Sequence, residues 1–193
     1  MKTSMGAKTI LYPTPVLVVG TYDQEGRPNA MTVAWGGICC SKPPCVAISV
    51  RKATHTFGNL MEAKAFTISI PSERHVAEAD FFGVVSGRDV DKWEKSGLTP
   101  VGSDLVNAPY VQEFPVVLEC KVVGVTELGL HTQFVGEILD VKVEEDCLDV
   151  EGHPTMSLVK PILYSPGEGR YYTAGTVLAK AFSIGKSLST RDS

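Results

Sequence analysis

Between Ser49 and Leu60 the chain reads Ser-Val-Arg-Lys-Ala-Thr-His-Thr-Phe-Gly-Asn-Leu, and these side chains suit an anion. Arg51 and Lys52 place two cations in a turn after the apolar, β-branched run Cys45 to Val50, which has the pattern of a buried strand. Thr54 and Thr56 are both N-cap residues for a helix running through Leu60, Met61 and Glu62. A helix start carries unpaired N–H groups and partial positive charge, so cations beside it make a seat for a phosphate. The alternative is a capped helix whose loop simply keeps its arginine and lysine in water. His55 favours the phosphate, because a charged imidazole at a helix start is unfavourable unless an anion compensates it. The sequence has neither a Walker glycine loop nor GxGxxG, which leaves side chains and a helix end to do the holding.

The elements that must position this seat are strands. Val16 to Tyr22 is one, ended by the turn residues of Asp23 to Pro28. Asn29 to Gly37 is its expected return partner. A period of two places Asn29, Met31, Val33 and Trp35 on one face and Ala30, Thr32, Ala34 and Gly36 on the other. The face of small residues either lets a flat ring approach the backbone or packs tightly inside a barrel, and a tryptophan such as Trp35 is by itself more often a core residue than a ring neighbour. Lys42-Pro43-Pro44 breaks the chain before the strand Cys45 to Val50.

Ala65 to Ile70 alternates with Phe66, Ile68 and Ile70 inward. Glu73 to Phe82 is a predicted helix with Val76, Ala77 and Phe81 on its apolar side and Gly83 as its stop. A short helix follows around Val90 to Lys95, anchored by Trp93. Val116 to Val125 alternates Leu118, Cys120 and Val122 against Glu119, Lys121 and Val123, with a bulge at Gly124, and pairs with a strand over His131 to Val143. Asp149 to Pro154 is expected to close that hairpin, and Leu158 to Tyr164 to be an edge strand around Pro161. The tail with Tyr171, Tyr172 and the apolar stretch Val177 to Ile184 either packs back on its own barrel or reaches a partner. Six or seven strands with short helices inserted make a mainly β protein, an antiparallel barrel with helical decoration.

The chain has 193 residues, 44% hydrophobic and 21% charged, which suits one domain over residues 1–193 with a core that needs no staples. A net charge of −4 gives no broad cationic surface for nucleic acid. Cys39, Cys40, Cys45, Cys120 and Cys147 match no common zinc or iron–sulfur spacing. They are expected to be buried structural thiols in a reducing compartment, with a redox role for Cys39 and Cys40 as the alternative. Pro13 and Pro15 interrupt the apolar run Ile10 to Gly20, and no run of about twenty apolar residues occurs, so the expectation is a cytoplasmic protein with no membrane partner.

Several stretches together resemble the flavin reductase-like FMN-binding split-barrel family, within it the flavoredoxin branch. They are Asn29-Ala30-Met31-Thr32-Val33-Ala34-Trp35, Lys42-Pro43-Pro44, Ser49-Val50-Arg51 running into Thr54-His55-Thr56, Glu78-Ala79-Asp80-Phe81, Gly129 with His131 and Gly136-Glu137-Ile138, and Tyr164. The resemblance implies a six-stranded split barrel, a homodimer, and non-covalent FMN, in preference to FAD, near the dimer interface. It implies Asn29, Met31, Thr32 and Trp35 along the isoalloxazine, Arg51, His55 and Thr56 at the phosphate and ribityl chain, and Lys92, His131 and Tyr164 completing the pocket. By itself Lys92 has the pattern of a surface lysine, and His131 that of an exposed residue at a strand start. The implied activity is electron transfer fed by NAD(P)H or by a redox protein partner. Reductases of the family often carry Gly-Asp-His where this chain has Gly129-Leu130-His131, a departure at the corner attached to nicotinamide binding.

Overall fold

The structure is a computed structural model and describes residues 1–188. The chain runs β1 (Thr14–Pro15), β2 (Leu17–Tyr22), β3 (Pro28–Val33), β4 (Gly36–Ser41), β5 (Pro44–Arg51), α1 (His55–Ala63) and β6 (Ala65–Ile70). A 3-10 turn, Glu73–His75, leads into α2 (Val76–Val84), followed by α3 (Lys92–Ser96), β7 (Pro100–Gly102), β8 (Pro109–Val111), β9 (Val116–Leu128) and β10 (His131–Val143). After these come α4 (Met156–Val159), β11 (Leu163–Ser165) and β12 (Arg170–Tyr172).

Seven strands pair in the order β3-β2-β6-β9-β10-β5-β4, every pair antiparallel. The outermost strands β3 and β4 are joined through Ala34 and Trp35, and the Ser49 amide donates to the Trp35 carbonyl at 2.8 Å, so the sheet curls back on itself there. This is the expected mainly β split barrel, with seven strands in its main sheet where six were expected. The added strand comes from the run read as one return strand. The chain leaves β3 at Val33, and Gly36 to Ser41 pair with β5 as a separate strand, so Trp35 lies in a connection and not on the face of Asn29 and Met31.

Two cores result. Inside the barrel Val19, Ile48, Leu60, Phe66 and Phe134 pack together, and outside it Val18, Ala30, Ala79, Phe82 and Trp93 pack under α2 and α3. β2 is therefore covered on both faces, which is why it reads as a continuous apolar run. The β7–β8 ribbon crosses the same outer region, and a Cβ on Gly20 would sit 1.9 Å from the Pro109 carbonyl oxygen. Glu119, expected on a polar face, is buried beside Thr67 under this cover and pairs with the Lys142 ammonium.

The other departures have local causes. α2 buries Ala79 and Phe82, leaves Val76 exposed, and continues past Gly83, because a glycine there lets the helix lie on Thr32. The β9–β10 hairpin is closed by Gly129 and Leu130; Asp149 to Pro154 is a separate loop held by the Asp149 carboxylate accepting from Glu151 and His153 amides at 2.9 Å. Leu158 lies in α4, and the strand expected around Pro161 starts at Leu163. The tail divides: Tyr171 and Tyr172 pack back in β12 against β11, with Tyr171 donating to Asp80 of α2 at 2.7 Å, whereas Val177, Leu178 and Phe182 are 90%, 96% and 98% exposed. No helix among the described residues is long and apolar enough to cross a membrane.

Candidate functional site

α1 starts where the sequence places it. The Thr54 hydroxyl accepts from the Phe57 amide at 3.2 Å, and Lys64 ends the helix in the left-handed region at φ 51°, its amide bonding the Leu60 carbonyl at 3.2 Å. Leu60 enters the barrel core, and two side-chain bonds fix the helix against β2 and β3. Asn59 donates to the Thr21 hydroxyl at 3.0 Å, and Asn29 donates to the Thr56 hydroxyl at 2.9 Å. The Thr56 oxygen accepts in that bond, so its own proton is free to donate elsewhere.

Asn29, Met31, Arg51, His55, Thr56 and Lys92 line one cavity of about 300 Å³ beside the start of α1. β3 supplies the first two, the end of β5 the third, α1 the next two and α3 the last. Arg51 is exposed and has no ion-pair partner among the described residues, whereas Lys52 is paired with Glu127 at 2.7 Å. A neighbouring cavity of about 460 Å³ shares Asn29, His55 and Lys92 and adds Arg27, Arg88 and Asp23.

Cations dominate this corner. His55 is held below its usual pKa, first by burial and then by Arg88, with Asp23 pulling the other way, so the imidazole is neutral at pH 7. Burial works against the Asp23 carboxylate, but Arg27 overcomes it and keeps its pKa low. Lys92 is not the surface residue its local sequence suggests. It is buried, and its ammonium donates to the Ala30 carbonyl at 2.8 Å and the Phe82 carbonyl at 2.9 Å. Burial pushes its pKa down to about 8.

The remaining candidates fall outside this cavity. Trp35 and His131 line a more apolar groove of about 500 Å³ with Ile10, Leu11 and Ser49. It adjoins the first site along β5, since Arg51 pairs with His131 in register and Ser49 lies two residues back on the same face. Tyr164 sits in a third hollow with Tyr12 and Tyr172, its ring 5.6 Å from that of Tyr171. Thr32 turns its hydroxyl to the Ala79 carbonyl of α2.

Two residues at the site have no signal in the sequence pattern. Arg88 donates to the Ala53 carbonyl at 2.9 Å and the Thr54 carbonyl at 3.4 Å, which sets a guanidinium over the loop entering α1. Gly87 lies against Asn29, where a Cβ would come 2.1 Å from Oδ1. Only a cation after a glycine in a polar segment could have pointed to them.

The cavity joins neutral donors to unpaired positive charge at a helix start, a donor set that fits the phosphate end of a nucleotide-like cofactor. Comparison with known proteins agrees with this chemistry. The chain is 52% identical to the flavoredoxin of Desulfovibrio vulgaris (Miyazaki F), with a TM-score of 0.92 over 96% of this chain and 100% of that one. It is 31% identical to the flavoredoxin of Methanosarcina acetivorans, with a TM-score of 0.90 over 97% of this chain and 99% of that one. It is 27% identical to an FMN-binding protein of Thermus thermophilus, TM-score 0.79, over 93% of this chain and 100% of that one. The flavin reductase like domain matches residues 8–173, and the chain belongs to that family.

Proposed function

We propose that this protein binds FMN without a covalent bond and passes electrons through it, as a flavin reductase-like or flavoredoxin-like protein. The observation that carries this reading is the convergence of Asn29, Met31, Arg51, His55, Thr56 and Lys92 on one cavity at the start of α1. The similarity to flavoredoxins and to an FMN-binding protein supports the choice of ligand. Bound FMN supplies a ring that takes up and releases electrons; the protein holds it and biases its potential. Arg51 grips the phosphate with the first-turn amides of α1, and Thr56 and neutral His55 offer hydrogen bonds to the phosphate and ribityl chain. Lys92 and His131 would place donors where negative charge builds on reduction, Asn29 and Met31 would line the ring, and Trp35 would close the adjoining groove, while Thr32, bonded to Ala79 of α2, and Tyr164, in its own hollow, would act only from behind these residues.

The test is an absorption spectrum of the purified protein, followed by anaerobic stopped-flow mixing with NADH and with NADPH. A yellow protein bleached by either nucleotide is an NAD(P)H-dependent reductase. A yellow protein bleached by neither is a carrier fed by another redox protein, a reading favoured by Leu130, which is 65% exposed where reductases often have an aspartate. A colourless protein that takes up no added FMN overturns the proposal.

Arg51→Ala is expected to weaken FMN by about 1.5–3 kcal/mol through loss of a charge-assisted contact, read by fluorescence titration. Unchanged affinity would move the phosphate away from β5. We also place the flavin near a homodimer interface. The exposed apolar residues Val123, Val125, Leu128 and Leu130, together with Val177, Leu178 and Phe182 of the tail, are surfaces that a second copy would cover. Light scattering on the yellow sample gives a dimer mass, or refutes it. The five free cysteines suit a cytoplasmic home.

A further inference from the structure

The β4–β5 hairpin gathers three thiols at its tip, far from the cavity beside α1. Ser41 pairs with Pro44 across the Lys42-Pro43 turn, and the next rung pairs Cys40 with Cys45. The register then skips a residue, because Ile38 is opposite Val46, so Cys39 is the extra residue of a bulge and both it and Cys40 face Cys45. Directly opposed residues of an antiparallel pair have Cα atoms about 4.5–5.5 Å apart, a span that a disulfide bridges without backbone movement. Cys45 is buried while Cys39 and Cys40 are exposed. The Cys45 thiol is pushed up, first by burial, then by the neighbouring Cys40 and Cys39. From Cys45 to Arg51 the extended strand covers about 20 Å, which keeps this cluster out of contact with the candidate cofactor site.

We propose that Cys40 and Cys45 form a reversible dithiol–disulfide pair that reacts with low-molecular-weight disulfides. The exposed Cys40, as thiolate, attacks one sulfur of the small disulfide; that S–S bond breaks, a mixed disulfide forms on Cys40, and the first small thiol leaves with the proton Cys40 gave up. Cys45 then loses its proton and attacks the Cys40 sulfur. The Cys40–Cys45 bond forms, the bond to the small molecule breaks, and a second small thiol leaves with that proton. The protein has lost two electrons and two protons, and the small disulfide has become two thiols. The second step quickens as pH rises, because a buried, upshifted thiol must ionise first.

The experiment treats the purified full-length protein with oxidised glutathione, alkylates it in denaturant, and reads intact mass and peptide maps. The expected product is monomeric, lighter by two hydrogens, with Cys40 and Cys45 protected and linked, and it returns to the dithiol in reduced glutathione. Cys39→Ser is expected to form the bond in the same yield. Cys40→Ser is expected to lose it and leave Cys45 open to alkylation. A lasting glutathione adduct on Cys40 with Cys45 still alkylated, a bond from Cys39 instead, or covalent dimers as the only product would overturn the assignment. Both exposed positions tolerate serine without disturbing the core, so the result does not depend on refolding a damaged chain.

Discussion

Lys92→Met is expected to lower the unfolding free energy at pH 7 by about 1–3 kcal/mol, because it strands two buried carbonyls at a cost larger than the charge burial it relieves. The ammonium donates to both the Ala30 and Phe82 carbonyl oxygens, at 2.8 and 2.9 Å, and ties β3 to the end of α2. Methionine keeps the length of the stem and removes every proton. Each unpaired carbonyl costs about 1–3 kcal/mol, and removal of a buried charge returns only part of that. Burial holds the Lys92 pKa at about 8 in the folded chain against an ordinary 10.5. Between those two values the unfolded chain keeps a proton that the folded chain has released, so this group's contribution to stability rises with pH across the window and is lowest below about 8. The rise is on the order of 3 kcal/mol. Urea unfolding of wild type and variant at pH 7 and pH 10 checks both parts; parallel behaviour of the two proteins would mean that Lys92 is solvated. Under the proposed function the same variant lowers the flavin midpoint potential, and the wild-type potential drops as pH passes about 8.

Gly20→Ala is expected to be the most damaging small substitution in the barrel. A methyl group there would meet the Pro109 carbonyl oxygen at 1.9 Å and the Thr67 hydroxyl at 2.6 Å. The first neighbour is backbone, so β8 must lift from the sheet, with a loss of at least about 3 kcal/mol. Gly37→Ala is the matched control, since nothing among the described residues lies within 4 Å of its Cβ position. Thermal scans should show a large fall in melting temperature for the first and almost none for the second. Equal melting temperatures would show that the β7–β8 ribbon is loosely held.

Elements with a clear period are legible in the sequence alone. His131 to Val143 and Ala65 to Ile70 are strands with the expected ends, since one side of each residue pattern meets the core. The start of α1 was readable from Thr54, because an N-cap is a local interaction. β4 was not, because Ile38, Cys39 and Cys40 are all exposed and show no alternation of polarity. The burial of Lys92 and Glu119 does not show in their local sequence for a related reason. What buries them comes from elements distant in the chain, β3 and α2 for the lysine, the β7–β8 ribbon and Lys142 for the glutamate. The cavity itself was half legible: Arg51, His55 and Thr56 stood together in the sequence, while Asn29, Met31 and Lys92 join them only through the fold.

The strand order has a temporal consequence. Arg51 gets its place opposite His131 only when β5 has annealed to β10, and β10 is translated long after β5 has left the ribosome. Contacts of such high sequence separation close slowly. A nascent chain carries α1 early but cannot aim its arginine until the late hairpin docks, so under the proposed function cofactor loading is an event of the finished protein and not of its synthesis.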